Sequence, residues 1–463
     1  MKRSTLMRSK DCLLLRTQLD CLWPKGGAVA RQFKMNEYFR NESDHCSGVL
    51  DVVKEKIRER IGLEYGYRAV PKSREHLLKH QPKPEELPAR SMVDSYTTAT
   101  LALSTDVMFR ERYINHLNRV RLGRLIEELD MFAVWLCHRH ITVPQLPEGV
   151  ALPYSFVTLL VDKVEFSNIK YLKANQDIAF SGFVSWTGKS SMELIIYVRQ
   201  HKATNQFIDI TKAIFLMVAR NATNTGPAPV NPLKPANEKE QEIWQEADAR
   251  QKQRRKDQAD TVFTSRPQEH EYAIMYGLLQ RTTPADSFDL NVRQLPPKCR
   301  WMSDSQRSTN ILPFPESRNA QNTIFGGYIM RQAVEISFIM ASIYVNGWPL
   351  LKCISDISFM KPVMVQSIVE MTAHVVYTSH NYIQIMTVAR LWNYVEGTSD
   401  ITNVFYLTYR ADKTVDEVLP GSYREMLWYI HGRRKFLAAL NLQPQFPLSP
   451  ENIDASQGNK QHN

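Results

Sequence analysis

Residues Asn322–Asn346 read NTIFGGYIMRQAVEISFIMASIYVN, a run without Pro that is apolar on almost every side. Its strongly polar interruptions are Arg331, Gln332 and Glu335. A run of this length and composition predicts a buried helix rather than a strand. We therefore interpret the rest of the chain around this helix.

Two glycines, Gly326 and Gly327, stand near the beginning of the run. Because glycine is unfavourable inside a helix, we place both at its N-terminus, where bare backbone can approach a ligand. The first N–H groups of a helix are unpaired and lie at the positive end of its dipole, so they suit an oxyanion or a phosphate. Tight packing between helices is the alternative role for this pair.

Strand-like segments follow the helix and predict an antiparallel sheet around it. These segments are Leu350–Phe359, Ile368–Tyr377, Tyr382–Trp392 and Ile401–Arg410.

The same order of features occurs earlier in the chain. Asn322 follows Asn118 by 204 positions, and Gly327 follows Gly123 by the same 204 positions. A helical pattern begins near Asn118, and its apolar residues recur at helical spacing. They are Leu125, Leu129, Phe132 and Trp135.

Strand patterns surround this earlier helix as well. They are Thr97–Ser104, Phe156–Phe166, Asp177–Trp186, Met192–Arg199 and Ile208–Arg220. The offset between copies falls to 194 positions in the first strand after the helix and to 191 in the last. The extra length of the first copy lies in the loop VPQLPEGVALP, as expected of two copies of one α+β unit that differ in a loop.

Several segments carry a family resemblance. SGFVSWTGKSSMEL in the first copy, and NTIFGGYIMRQAVEIS, NYIQ and ITNVF in the second, resemble the eukaryotic double-hotdog acyl-CoA thioesterases, in particular their mitochondrial branch. The resemblance covers about residues 90–415. It implies a tandem (double) hotdog of the α+β class, each unit a long buried helix wrapped by an antiparallel sheet. The implied reaction is hydrolysis of fatty acyl-CoA to free fatty acid and coenzyme A.

The repeat and the composition of the connecting segments predict the domain organisation. We expect a mitochondrial presequence (1–35), an N-terminal extension (36–90), hotdog domain 1 (91–222), a charged linker with helices (223–300), hotdog domain 2 (301–414) and a C-terminal tail (415–463).

The basic N-terminus predicts localisation in the mitochondrial matrix. It carries Lys2, Arg3 and Arg8 and is poor in acidic residues, as mitochondrial presequences are. A basic tail is the alternative interpretation. We expect no integral membrane segment, because no apolar run approaches the roughly 20 residues of a membrane-spanning helix.

Charge and cysteine content restrict the partners. The formal charge of +10 favours a polyanionic partner. The six cysteines form no CxxC pair, so we expect a reducing compartment and no zinc ribbon. The Arg-rich segment 250–256 lacks interleaved aromatic residues, so we expect a solvated helix face and no nucleic acid.

Thioester hydrolysis requires an activated water and donors for the developing oxyanion. The resemblance implies that an Asn of one hotdog and a helix carboxylate of the other share a site. Seven positions after Gly123 stands Asp130, whereas the second copy has Val334 there and Glu335 one residue later. One residue turns a helical side chain by about 100°.

We therefore expect a primary catalytic pair, Asn322 with Asp130, and a degenerate secondary pair, Asn118 with Glu335. Capping of the two helices is an equally good role for the asparagines. Asp130 could instead be a solvated helix acid, because it follows two glutamates.

The substrate-binding candidates are the glycines at the helix starts and three basic residues at turns or strand ends. They are Gly123, Gly326, Gly327, Lys189, Arg220 and Arg410. The basic residues suit the phosphates of coenzyme A, although each could be an ordinary solvated side chain. No cofactor is expected. No metal is expected either, because His138 and His140 lack acidic or Cys neighbours at ligand spacing.

Two other functions compete with thioester hydrolysis. A hotdog hydratase or dehydratase usually needs a His beside the acid, and neither helix start carries a suitable one, although His116 lies near the first. A non-catalytic acyl-CoA-binding protein would fit the charge alone. We also expect a homo-oligomer, a trimer of double hotdogs.

Overall fold

The computed structural model describes residues 49–62, 66–166, 168–202, 206–257, 266–284, 288, 292–319, 321–359 and 361–442. All of them lie within one unit, Ser43–Pro444. The expected presequence and the end of the chain from 443 onward lie outside the described residues.

A ten-stranded sheet runs through the described part of the chain. In spatial order its strands are β1-β3-β4-β5-β2-β8-β11-β10-β9-β7, so the second five repeat the first five in reverse. In chain order they are β1 (Thr97–Leu101), β2 (Tyr154–Phe166), β3 (Ile178–Thr187), β4 (Ser191–Lys202), β5 (Gln206–Asn221), β7 (Gln306–Ile311), β8 (Leu350–Ser358), β9 (Ile368–Ser379), β10 (Tyr382–Asn393) and β11 (Thr398–Arg410). A separate two-stranded parallel pair consists of β6 (Cys299–Trp301) and β12 (Glu417–Leu419).

The two halves of the sheet meet at an antiparallel pair of strands, β2 and β8. Lys163 lies opposite Ser355 in this pair, and Val164 lies opposite Ile354. The predicted double hotdog is therefore confirmed, with one sheet continuous across both copies.

The described helices include one long buried helix in each half. In chain order the helices are α1 (Leu50–Ile61), α2 (Met92–Ser95), α3 (Val107–Glu111), α4 (Leu122–His140), α5 (Glu238–Asp257), α6 (Glu269–Thr282), α7 (Gly326–Val345) and α8 (Tyr423–Leu440). Short 3₁₀ turns occur at Glu75–His80, Pro84–Glu86, Ile169–Tyr171 and Pro315–Ser317.

Helices α4 and α7 pack against each other and against the sheet. Gly123, at the start of α4, approaches Arg331 and Glu335, while Gly327, at the start of α7, approaches Glu127 and Asp130. Each start meets the second and third turns of the other helix, as antiparallel helices do. The contact between the two helices therefore involves the first three turns of each.

The register shifts in the strand pairing give a second alignment of the two copies, independent of the sequence. In β2 the register with β5 shifts between Thr158 and Leu160, and in β8 the register with β11 shifts between Leu351 and Cys353. Matching these shifts equates Thr158 with Leu351, an offset of 193 rather than the expected 194.

The C-terminal segment was predicted to be a tail, and this prediction is wrong for its described part. Helix α8 packs across β9 and β10, with the ring of Phe436 5.2 Å from Tyr377 and 5.7 Å from Tyr382 between centroids. Its apolar face packs on the second half-sheet. Burial of this face makes α8 part of the folded core.

The basic segment of helix α5 was predicted to be a solvated face, and this prediction is also wrong. Arg250 and Arg254 each place an Nη2 atom 2.7 Å from the carboxylate of Glu193 on β4, which is fully buried. The basic residues thus neutralise a buried acid and hold α5 on the first half-sheet.

Within the described ranges, none of the helices combines the length and apolar character that a membrane crossing requires.

Candidate active site

Asp130 lies on the buried side of α4, where the start of α7 meets it. Its side chain is 1 % exposed. Oδ2 accepts a hydrogen bond from the backbone N–H of Gly327 at 2.7 Å, and Oδ1 accepts one from the Thr158 hydroxyl at 2.6 Å. The carboxylate is therefore fixed by one element of its own half and one of the other half. The alternative of a solvated helix acid is excluded.

Burial raises the pKa of the Asp130 carboxyl above its ordinary value, and the charge of Glu127 adds to the rise. The hydrogen bonds from Thr158 and Gly327 act in the opposite direction, because they stabilise the charged form. A carboxylate with a raised pKa is a stronger base, which suits proton abstraction from water.

The two glycines of α7 permit this close approach. A Cβ atom on Gly327 would lie 2.8 Å from the Asp130 Cβ and 3.0 Å from the Glu127 carbonyl oxygen. A Cβ atom on Gly326 would lie 3.0 Å from the Phe359 ring. The tight-packing interpretation of Gly327 is thus confirmed.

The N–H groups of these glycines have different roles. That of Gly327 is occupied by Asp130. That of Gly326, the first residue of α7, makes no hydrogen bond to any of the described residues, and a Cβ atom on Gly326 would be 3.6 Å from Asp130 Oδ2. The Gly326 N–H is therefore the available donor beside the carboxylate.

Asn118 and Asn322 occupy equivalent turns before the two helices. Both have left-handed backbone conformations, with φ of 54° and 56°, which Asn tolerates better than most residues. The N-cap positions are Arg121 and Phe325 instead, so the capping interpretation is wrong.

The side chain of Asn322 contacts the N-terminal extension. Its Nδ2 donates to the carbonyls of Arg68 at 2.9 Å and Ala69 at 3.1 Å. No hydrogen bond joins it to Asp130 within the part of the chain that the structure describes. Asn322 therefore holds the N-terminal extension through these bonds, and Asn118 is exposed.

The equivalent position in the second copy has lost its polar groups. Buried Val334 stands at the position of Asp130, and buried Leu351 at that of Thr158. Phe338, the equivalent of Val134, stacks near Trp348 with centroids 6.3 Å apart. This arrangement holds no carboxylate.

Glu335 points away from that position into a network of arginines. Its carboxylate pairs with Arg121 and, at 3.2 Å, with Arg331. Arg331 also pairs with Glu127 at 3.3 Å. These two residues of opposite charge occupy equivalent positions in the two copies, 204 positions apart. The network neutralises Glu335 and couples α4 to α7. The structure forms no hydrogen bond between Glu335 and Asn118 among the described residues.

The three basic candidates lie at the rim of the sheet. Lys189 is exposed in the turn between β3 and β4. Arg220 bonds to Asn224 in its own turn, and the Arg410 guanidinium lies 5.8 Å from the centroid of Tyr382. None of the three bonds to Asp130 in the described structure, so their role toward coenzyme A stays a prediction.

The described residues contain no group of three or more His, Cys, Asp or Glu side chains placed to hold a metal ion. His140 instead lies 2.9 Å from the carbonyl of Asn231, and His138 faces a cavity beside Val134 and Phe325.

Thr158 is a residue of the candidate site that the sequence did not predict. It is the polar residue within the segment FVTLLV, residues 156–161, and a hydroxyl in such a run is an available signal. The sequence alone does not show which residue of β2 faces α4, because this depends on the strand pairing in the folded sheet.

The chain is similar to known proteins over most of its length. The chain is 34 % identical over 405 residues to acyl-coenzyme A thioesterase 9, mitochondrial, of Mus musculus, covering 86 % of this chain and 91 % of that protein. It is 34 % identical over 391 residues to the Homo sapiens protein of the same name, covering 83 % and 87 %. Acyl-coenzyme A thioesterase 10, mitochondrial, of Mus musculus is 32 % identical over 409 residues, covering 86 % and 91 %.

Solved structures give weaker likenesses. An acyl-CoA hydrolase from Staphylococcus aureus matches 35 % of this chain and 97 % of its own at 23 % identity, with a TM-score of 0.30. A putative oleoyl thioesterase from Lactobacillus plantarum matches 69 % and 97 % at 9 % identity, with a TM-score of 0.39. The fold assignment accordingly depends on the strand order described above. No family model matches the chain.

A sequence identity of about one third over most of both chains is sufficient to assign the family. The chain belongs to the family of the mitochondrial acyl-coenzyme A thioesterases 9 and 10.

Proposed function

We propose that this chain hydrolyses fatty acyl-CoA thioesters with Asp130 as the general base and the Gly326 N–H as an oxyanion donor. The single observation that carries this proposal is the geometry of Asp130. It is a buried carboxylate held by Thr158 and by the start of a helix from the other half. The family is one of hydrolases, so the chain is an enzyme of that class.

The reaction begins with water between Asp130 and the thioester carbonyl carbon. Asp130 takes one proton of the water as its oxygen forms a bond to that carbon. The tetrahedral intermediate then expels sulfur as the C–S bond breaks. Asp130 returns the proton to the departing thiolate, and the products are the free acid and coenzyme A.

The oxyanion of the intermediate develops at the start of α7. There the Gly326 N–H is the first donor of the helix, and the positive end of the helix dipole adds to its effect. Gly327 cannot supply a second donor while its N–H is bonded to Asp130. Asn322 could do so only after releasing the carbonyls of Arg68 and Ala69, which makes it the secondary candidate.

The proposed enzyme has one active arrangement per chain. Val334 and Leu351 leave the equivalent position without a base, and Glu335 is committed to Arg121 and Arg331. The pair Asn118 and Glu335 therefore has no catalytic part in this proposal.

The mitochondrion is the site of action that the relatives' names support, and the basic N-terminus agrees with it. The matrix is the compartment we propose, with removal of the first few tens of residues on import. We further propose a trimer of double hotdogs, for which mass measurement in solution is the test.

Release of free thiol from a panel of acyl-CoAs tests the proposed reaction. We expect stoichiometric coenzyme A and free acid from at least one chain length. A protein that binds acyl-CoA without releasing thiol would overturn the proposal, as would hydration of an enoyl-CoA without thiol release.

A further inference from the structure

A segment of the N-terminal extension connects the two halves of the chain beside the start of α7. This bridging segment, residues 66–74, comes after α1 in the chain, and residues 66–73 of it are exposed. At its C-terminal end the Arg74 guanidinium donates to the carbonyls of Leu152 at 3.0 Å and Tyr154 at 3.4 Å, where β2 of the first half begins. One end of the bridging segment is therefore fixed to the first half.

The second half holds the other end of the bridging segment through the loop before α7. Nδ2 of Asn322 donates to two backbone carbonyls of the segment, at 2.9 and 3.1 Å. Nη2 of Arg318 donates to the Gly66 carbonyl at 3.2 Å, and its guanidinium lies 5.4 Å from the ring centroid of Tyr67. Hydrogen bonds and a cation–π contact thus join the segment to the second half.

The equivalent loop of the first half forms without these contacts. There the N–H of Arg121 donates to the Tyr113 carbonyl at 2.7 Å. In the second loop, 204 positions later, the N–H of Phe325 donates to the Ser317 carbonyl at 3.1 Å. Asn118 is exposed, and its side chain makes no hydrogen bond to any of the described residues. The hydrogen bonds from the Asn322 side chain are therefore not needed for such a loop to fold.

These hydrogen bonds lie close in the chain to the proposed oxyanion donor. Gly326 follows Asn322 by four residues and is the first residue of α7. Asp130 belongs to the first half and the Gly326 N–H to the second, so their separation depends on how the halves are held together. A misplacement of about 1 Å can lower an enzymatic rate about 10²-fold. The contacts of the bridging segment occur at the one helix start that faces a buried carboxylate.

We propose that the bridging segment, held by Asn322 and Arg318, positions the start of α7 relative to Asp130 for catalysis. The proposal rests on the proposed function and adds two positioning residues to it. Asn322 and Arg318 act through the bridging segment and not on the substrate. The N-terminal extension, which lies outside the repeat, thereby distinguishes the active arrangement from the degenerate one.

The repeat provides a matched pair of variants, Asn322→Gly and Asn118→Gly. Glycine keeps the left-handed conformation of both positions, with φ of 56° and 54°, and removes only the side chain. We expect Asn322→Gly to lower kcat about 10-fold with KM within about 3-fold, because misplacement of the donor affects the transition state more than substrate binding. Asn118→Gly should change neither. An unchanged kcat in folded Asn322→Gly would overturn the proposal while leaving thioester hydrolysis intact. An unmodified protein that releases no thiol would instead overturn the proposed function, and this proposal with it.

The variant Arg318→Ile separates positioning from a direct role of Asn322 as an oxyanion donor. Ile114 stands at the equivalent position of the first loop, so isoleucine is compatible with the loop. We expect kcat to fall about 10-fold here too. Because both variants release the same segment, the loss in the double variant should be smaller than the product of the single losses. An unchanged kcat in Arg318→Ile, or single losses that simply multiply, would overturn the proposal.

Limited proteolysis measures release of the bridging segment directly. Arg68 lies in the exposed segment, so trypsin cleavage after it can be followed by mass spectrometry. We expect cleavage there to be about 10-fold faster in Asn322→Gly and Arg318→Ile, since loss of hydrogen bonds raises the population of the released segment. Asn118→Gly should be cleaved like the unmodified protein. Equal cleavage rates in all four proteins would overturn the proposal.

Discussion

The carboxylate of Asp130, in the first half of the chain, accepts a hydrogen bond of 2.7 Å from the backbone N–H of Gly327, in the second half. The relationship has no counterpart across the repeat, because buried Val334 stands where a second carboxylate would lie. Two copies of one unit thus form a single polar arrangement. The site needs both halves, and one half supplies the carboxylate while the other supplies the helix start.

Removal of the Thr158 hydroxyl should weaken the site without unfolding it. In Thr158→Val the carboxylate of Asp130 loses the hydrogen bond that opposes the rise of its pKa. Its pKa rises further, so the acid limb of the kcat/KM profile moves to higher pH and activity falls about 10-fold at mildly acidic pH. A pH–rate profile measures this change. Thr158→Ser keeps the hydroxyl and should restore the unmodified profile, whereas an unmoved acid limb in Thr158→Val would contradict the role given to Thr158.

Addition of a methyl group at Gly327 should disrupt the contact between the helices. The Cβ in Gly327→Ala would meet the Asp130 Cβ at 2.8 Å and backbone of Glu127 at 3.0 Å, and neither can move cheaply. We expect a destabilisation of about 1–3 kcal/mol with loss of most activity. Thermal unfolding and thiol release measure the two effects. Gly277→Ala in α6 is the control, because nothing lies within 4 Å of its Cβ, and it should leave activity unchanged and stability equal or higher. Similar behaviour of the two variants would show that the close approach is unimportant.

Histidines that stay neutral in the folded protein should make the fold sensitive to mild acid. Burial lowers the pKa of His138 to about 3 and lowers the pKa values of His140, His374 and His431 to about 4. Between pH 6.5 and these values the unfolded chain binds more protons than the folded one. The free energy of unfolding is therefore fully retained above pH 6.5 and falls as the pH decreases, by about 1.4 kcal/mol per unit for each histidine well below pH 6.5.

Denaturant unfolding at pH 7.5, 6 and 5 measures this loss. Carboxylates with lowered pKa values, such as Glu271, contribute only at more acidic pH. The variant His140→Gln should reduce the slope by the share of one histidine. A free energy of unfolding that stays constant from pH 6.5 to 5 would contradict the neutral state of these histidines in the folded protein.

The sequence predicted the features that recur locally and missed those that depend on packing between distant segments. The helix after Gly326 and the strands after it follow from short-range periodicity, and the 204-position repeat follows from comparing the two halves of the sequence. The offset strand register and the contact between Thr158 and Asp130 do not, because each joins elements that are adjacent only in the folded sheet. Helix α8 had a readable apolar pattern at Met426, Tyr429 and Ile430, which its dense charges obscured.

The repeat identified Asn322 as an important residue but did not reveal what its side chain contacts. Its recurrence 204 positions after Asn118 indicated importance, and both residues adopt the left-handed turn that explains the residue type. The backbone conformation alone accounts for asparagine at these positions. The contact of Asn322 with Arg68 and Ala69 depends on an extension that the repeat does not include.

The most direct test of the central claim compares Asp130→Asn with Glu335→Gln by kcat/KM for acyl-CoA hydrolysis. Each variant removes one carboxylate charge at constant size, and the two positions differ by one residue across the repeat. We expect Asp130→Asn to lower the rate about 10²–10⁴-fold. Its thermal stability should be unchanged or higher, because burial of the charged Asp130 opposes folding at neutral pH. Glu335→Gln should stay within a few-fold of the unmodified rate. A large loss in Glu335→Gln with a small one in Asp130→Asn, or full activity in both, would contradict the assignment of Asp130 as the base.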